Sequence, residues 1–232
     1  MKGLIYGDFT LNKKWFIIAG VFAAISAAVG AVLINVMGGD PEGVNLINNL
    51  MLLFEIVPIV LCLEWLGRNL EANLKNRFAN YALSAVSHNT FTLAMLMDNI
   101  LTTVAGLAMS LAVRGIMSAF DSSYWTTDHV KLMCGIALFM GAFEFILVPL
   151  VIKLKSAEKA GMIVGLTAGF GVIFPIMLVF EAKNGNLSAL LPKICEIVAK
   201  DWFIPAFIGG CAAVYALAYV LLITRIKKGD VC

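Results

Sequence analysis

The sequence predicts an all-α polytopic membrane protein with six transmembrane helices, and three observations carry that prediction. The chain is 61% hydrophobic and only 14% charged, with mean hydropathy +0.92, whereas a soluble domain is about 25% charged. Apolar runs long enough for a bilayer core, about 20 residues each, recur from end to end. The basic residues gather on alternate connections between those runs, as they do when one side of the membrane retains them. No stretch outside the runs reads as a soluble domain, so residues 1–232 form a single transmembrane domain.

Residues 1–14 carry a partial apolar face (Leu4, Ile5, Phe9, Leu11), with Lys2, Asp8, Lys13 and Lys14 opposite. That pattern fits an interfacial helix that turns into the membrane, and a plain unstructured start is the alternative. Span one, 15–37, contains no charge and is longer than the apolar core of a signal peptide. Turn chemistry at Gly38, Gly39, Asp40 and Pro41 leads to span two, 47–66, which holds Glu55, Pro58 and Glu64.

The longest polar interval, 68–92, comes next. Leu70, Leu74, Phe78, Tyr81 and Ala85 recur at steps of three and four, which puts them on one face of a helix too polar to span. Span three, 93–117, has Asp98 near one end and Arg114 near the other. A polar loop over 121–129 precedes span four, 132–152, with Glu144 inside it and Pro149 near its end. A short polar turn, KLKSAEKAG, leads to span five, 162–180. Residues 185–201 place Leu187, Leu190, Leu191, Ile194, Ile197 and Val198 at helical spacing, which suits a helix dipping into the outer leaflet or a loop helix capping the bundle. Span six is 202–224, followed by the tail RIKKGDVC.

Twelve of the seventeen Lys and Arg lie in the N-terminal segment, the 68–92 interval, the turn before span five and the tail. Lys131, Lys183, Lys193 and Lys200 lie on the other connections, and Arg114 at the edge of span three. Both termini and the 68–92 interval are therefore expected in the cytoplasm, with the chain in the plasma membrane.

The net charge of +2 and the lack of a long basic cluster give no footing for nucleic acid. No phosphate-cradling G-x-x-x-x-G-K-[ST] occurs, nor HExxH, nor GxSxG. The two histidines, His88 and His129, fall on opposite sides of the predicted membrane, and the five cysteines show no CxxC spacing. No catalytic residue, metal site or cofactor of its own is expected in this chain.

Charges at membrane depth are costly and by default mark function or a buried pair. Glu64 and Asp98 are expected at headgroup level, and Arg114 is expected to snorkel to the outer surface. Glu55 and Glu144 are expected near mid-membrane. There they either line a translocation path or carry a proton, or each is a carboxyl hydrogen-bonded to a neighbouring helix. Gly161, Gly165 and Gly169 make a GxxxGxxxG stripe, expected to let another helix pack closely.

Three features resemble the permease subunits of bacterial type-2 ABC exporters whose ATPase is a separate polypeptide. The opening MKGLIYGDFTLNKK is similar to that family's start, with Gly7 where a Lys is usual. The six-span layout matches over the whole chain. Between spans two and three, Phe78, Tyr81, Leu83, Val86, Ser87 and His88 are similar to the family's aromatic, Tyr-x-Leu, Pro-Val-Ser-Arg pattern. The sequence departs from that pattern at Phe78 (usually Trp), Ala85 (usually Pro) and His88 (usually Arg).

The resemblance implies a coupling helix at those residues that docks on a cytoplasmic ABC ATPase subunit, which would bind ATP and Mg. It also implies a second permease subunit, identical or sister, an elbow helix at the N-terminus and an outer helical cap after span five. The family exports hydrophobic or amphipathic cargo, such as peptides, antibiotics and lipids, and the nearest subclass is the exporters of phenol-soluble modulins or bacteriocins. A self-contained proton-coupled carrier or channel, and a peptide-binding membrane immunity protein, are the alternatives.

Overall fold

A computed structural model describes residues 2–37, 41–68, 78, 86–168, 200 and 202–228. Among the described residues the secondary structure is helical throughout: α1 (Lys2–Met37), α2 (Pro41–Arg68), α3 (His88–Phe120), a short 3-10 turn (Ser122–Tyr124), α4 (Thr127–Leu154), α5 (Ala157–Ala168) and α6 (Phe203–Lys227). Four helical stretches are long and apolar enough to cross a membrane: Phe16–Val36, His88–Phe120, Thr127–Leu154 and Pro205–Lys227. In α2 the apolar stretch is the shorter Leu50–Leu63. This is the helix inventory of a polytopic membrane protein.

Local chemistry sets the ends. Pro41 stands at the first position of α2, where its missing N–H costs nothing. Ser87 caps α3: its Oγ accepts from the Thr90 N–H at 3.2 Å. Thr126 caps α4 in the same way, accepting from the His129 N–H at 3.2 Å. Helix α4 ends on Lys155, whose φ of 53° is left-handed and turns the chain sharply. Ser156 Oγ then accepts from the Lys159 N–H at 3.3 Å at the start of α5.

The N-terminal segment differs from expectation. No turn separates it from span one, because α1 runs unbroken from Lys2 to Met37. Helix α3 begins at His88, five residues earlier than the hydropathy suggests, because Ser87 supplies the cap. Of the predicted fifth span only the α5 portion is described, and the predicted outer helix at 185–201 lies outside the described residues but for Lys200.

Helices α1, α2 and α3 pack on one another, α4 packs on α3, α5 and α6, and α6 also touches α3. Close approach happens at glycines, as membrane helices favour. A Cβ on Gly106 of α3 would lie 2.8 Å from the Ile59 Cα of α2. One on Gly30 of α1 would lie 3.0 Å from side-chain atoms of Met117 and Met51. One on Gly141 of α4 would strike the Thr103 hydroxyl and stand 2.7 Å from the Tyr215 Oη. Gly161 and Gly165, by contrast, meet nothing within 4 Å among the described residues, and Gly169 lies outside them.

The core has three apolar patches. Ala23, Ala27 and Ile34 of α1 meet Ile47, Met51, Val113, Met117 and Tyr124 at one end. Ile59 and Leu63 of α2 meet Met133 and Ala137 of α4 in the middle. Phe91, Met95, Phe145, Val148 and Ile152 meet Ala218, Leu222 and Ile226 at the other end. Along α4 and α6 the partners rise together, from Gly135 beside Phe207 to Phe145 against Tyr215, so these two helices run parallel.

Candidate functional site

The site begins with one carboxylate in the middle of α2. Glu55 is fully buried, and a lone carboxylate there is too costly to keep. Two other helices supply its partners. Arg114, in the penultimate turns of α3, places Nε 2.7 Å from Glu55 Oε1 and donates from Nη2 to Oε2 at 3.2 Å. His129, in the first turn of α4, stands with Nε2 2.6 Å from the same Oε2.

The imidazole also faces the guanidinium. Arg114 Nε is 3.2 Å from His129 Nε2 and Nη2 is 3.3 Å from Nδ1. No one tautomer turns all of these contacts into hydrogen bonds, because Nε2 faces both Glu55 Oε2, which needs a donor, and the Arg114 Nε–H, which needs an acceptor. With the proton on Nε2, His129 donates to Glu55, and Nδ1 accepts from Arg114 Nη2. The Arg114 Nε–H is aligned on the imidazole and not on Oε1, so its 2.7 Å approach to Oε1 is an ion-pair contact.

The trio lies beside the α3–α4 connection, which holds Tyr124. This tyrosine is buried, and its hydroxyl finds no hydrogen-bond partner among the described residues. Burial pushes the phenol above its ordinary value, Asp121 adds to that, and Arg114 opposes it.

Arg114 therefore does not snorkel: it is 2% exposed, because Glu55 on another helix offers a better partner than the surface does. Asp98 is not at the helix edge either. It is buried in α3, ten residues and so about 15 Å from the helix start. Next to it in sequence, Asn99 accepts from the Tyr215 hydroxyl of α6 at 2.7 Å, and its backbone carbonyl accepts from Thr103 Oγ1 at 2.7 Å. Glu144 is buried in α4 and lines a groove against α2. Glu55 and Glu144 are thus both buried but belong to different places: Glu55 to the ion trio, Glu144 to the groove.

Of the residues expected to couple to a partner, Phe78 is buried, its ring 5.3 Å from that of Phe91. Val86 packs half-buried on the same cluster. Ser87 is exposed and spends its hydroxyl on the α3 cap, also 2.9 Å from Thr90 Oγ1. His88 is exposed at the first position of α3. Tyr81 and Leu83 lie outside the described residues. No group of three or more His, Cys, Asp or Glu side chains among the described residues is arranged to hold a metal ion.

Reading the sequence missed His129 as a site residue. The signal was its position: a histidine one turn into a membrane helix, on the side where Arg114 ends the helix before it.

Comparisons with family models, with curated proteins and with solved structures find no match to the chain.

Proposed function

We propose that the chain is the membrane-spanning permease subunit of an ATP-driven exporter, working with a separate cytoplasmic ABC ATPase and a second permease subunit. The observation that carries this reading is the way the α2–α3 connection is fastened. Phe78 is buried against Phe91 in the bundle core, and Ser87 caps α3 nine residues later. A short segment tied at both ends to the bundle is suited to pass a push from a soluble partner into α2 and α3. A free loop would absorb it.

The charge pattern supports the same side. The bundle end that carries this connection also carries Arg68, Lys153, Lys155, Lys159, Arg225 and Lys227, and the opposite end carries Lys131 and Lys200, with the buried Arg114 toward it; a basic excess of this kind favours the cytoplasm. The parallel run of α4 and α6 supports a fifth span at 162–180, since the chain must return across the bundle between them. Six spans would then leave both termini inside the cell.

The test is to purify the tagged chain from its native membranes and assay bound vanadate-sensitive ATPase activity. Leu83→Glu puts a charge on the proposed contact and is expected to lower the recovered activity by about tenfold, with the level of the chain in the membrane unchanged. Equal recovery from the variant overturns the reading. The buried Glu55–His129 contact favours one rival, a self-contained proton-coupled carrier. Proton-driven transport by the purified chain in liposomes without ATP, abolished by Glu55→Gln, would put that reading in its place.

A further inference from the structure

We propose that the corner where α4, α5 and α6 meet binds the phosphate headgroup of an anionic membrane phospholipid. One apolar cluster brings the three helices together there: Val151 and Ile152 of α4, Ala160 of α5, and Leu222 and Ile226 of α6. Lysines stand around it. Lys153 is in the last turn of α4, Lys155 is its left-handed C-cap, and Lys159 is in the first turn of α5. Lys227 and Lys228 end α6. All five are exposed, and none forms an ion pair with a described residue. Among the described residues the acid at this corner is Glu158, also exposed, so the corner is strongly positive.

Helix dipoles account for part of this pattern and leave the rest. Lys153 and Lys227 lie in the last turns of their helices, where the negative end of the dipole favours a cation. Lys159 lies at the opposite kind of place, the start of α5, where the positive end disfavours one. An anion held between Lys155 and Lys159 offsets that repulsion and uses the positive end of α5 as well.

Placement favours a lipid over a soluble anion. Helices α4 and α6 are long and apolar enough to cross a membrane, and those stretches run to Leu154 and Lys227. The lysines therefore cluster where two such helices leave the apolar layer, with flexible stems that carry their charge toward the headgroups. The neighbouring surface of α6 is apolar and open: Leu217 is 54% exposed and Leu221 38%. Leu217, Leu221 and Lys228 follow at steps of four and seven, on one flank of the helix. The first and last are about 17 Å apart, close to half a bilayer core of about 30 Å, which is the reach of an acyl chain. A cation above an apolar strip of that length matches a phospholipid and offers a soluble phosphate only its upper end.

The probe is dioleoyl phosphatidylglycerol, titrated into the full chain in an uncharged maltoside detergent, with bound lipids counted by native mass spectrometry. We expect saturable binding, about tenfold or more tighter than that of dioleoyl phosphatidylcholine, which has the same chains and no net charge. Added salt is expected to weaken it. Lys155→Gln with Lys159→Gln is expected to weaken phosphatidylglycerol by about tenfold while melting like the lipid-free parent. Lys131→Gln, at the opposite end of the bundle, is expected to leave it unchanged.

Equal binding of the two lipids overturns the proposal and leaves the lysines as an orientation signal only. Equal binding by the parent and the double variant overturns it too. Displacement by glycerol phosphate at equal concentration would make the corner a site for free phosphate, and displacement by a polyglutamate peptide a surface for an acidic protein; either overturns the lipid assignment. If the double variant does not fold, unchanged binding by Lys228→Gln overturns it. Neither ATPase nor cargo enters this measurement, so it stands or falls apart from the export reading.

Discussion

Glu55 has no acceptable state on its own, and that determines what substitution at the trio does. Arg114→Met keeps the apolar length of the arginine but strands the carboxylate. A cost of about 3–5 kcal/mol is expected from breaking a buried pair at one partner. Glu55→Gln together with Arg114→Met should recover most of it, because no buried charge then remains. Denaturant unfolding of the purified chain in detergent, run as a double-mutant cycle, measures both; additive losses would show that the two residues do not act as a pair. Glu55 was legible in the sequence as a charge too costly to leave alone in a span, whereas Arg114 was expected to snorkel to the surface. Their pairing was not, because 59 positions separate them and no local pattern records which helices become neighbours. Asp98 is buried among its neighbours, and that burial, like the pairing, depends on which helices pack together.

Individual helices were easier to foresee than their contacts. The apolar stretches of α1, α3, α4 and α6 follow the hydropathy, since their composition alone suits the bilayer. The packing glycines do not follow the motif. The GxxxGxxxG stripe pointed to Gly161, Gly165 and Gly169, while among the described residues the tight crossings fall at Gly30, Gly106 and Gly141, which form no motif. What selects them is the neighbour across the crossing. Gly106 faces the backbone of α2 at Ile59 and the carbonyl of Pro58, and backbone cannot move aside as a side chain can. Gly106→Val is therefore expected to cost about 1–3 kcal/mol through overpacking. Gly161→Ala, with nothing within 4 Å of the added Cβ among the described residues, is expected to be neutral or slightly stabilising through helix propensity. Thermal unfolding of the two variants side by side checks this; an equal loss in both would mean that Gly106 is not at a tight crossing.

For the molecule as a whole, basic residues gather on alternate connections, and the proposed orientation rests on that excess. In a cysteine-free background, Ser122→Cys at the exposed α3–α4 corner is expected to react with an impermeant maleimide added to intact cells. Glu158→Cys at the exposed start of α5 should react only after the membrane is opened. The opposite pattern would invert the protein and remove the cytoplasmic face from the α2–α3 connection. The overall helical architecture was legible because bilayer thickness and basic-residue placement act on composition, which a sequence displays directly. The groove beside Glu144 was not, because it takes residues of two helices, α2 and α4, to form it.

The parallel pairing of α4 and α6 also bears on how the protein is made. Helices α1 to α4 can meet as they leave the ribosome, each beside an element already synthesised, with the Glu55 trio joining the last three. Helix α6 is different. Its seat against Phe145 and Asn99 lies 70 and 116 positions back, and it is reached only after the chain has returned to the other end of the bundle. Assembly thus has a late step with a long closure. Until it is complete, the α4 surface that Tyr215, Ala218 and Leu222 will cover stays open, and that interval is when the nascent chain most needs an insertase or chaperone beside it.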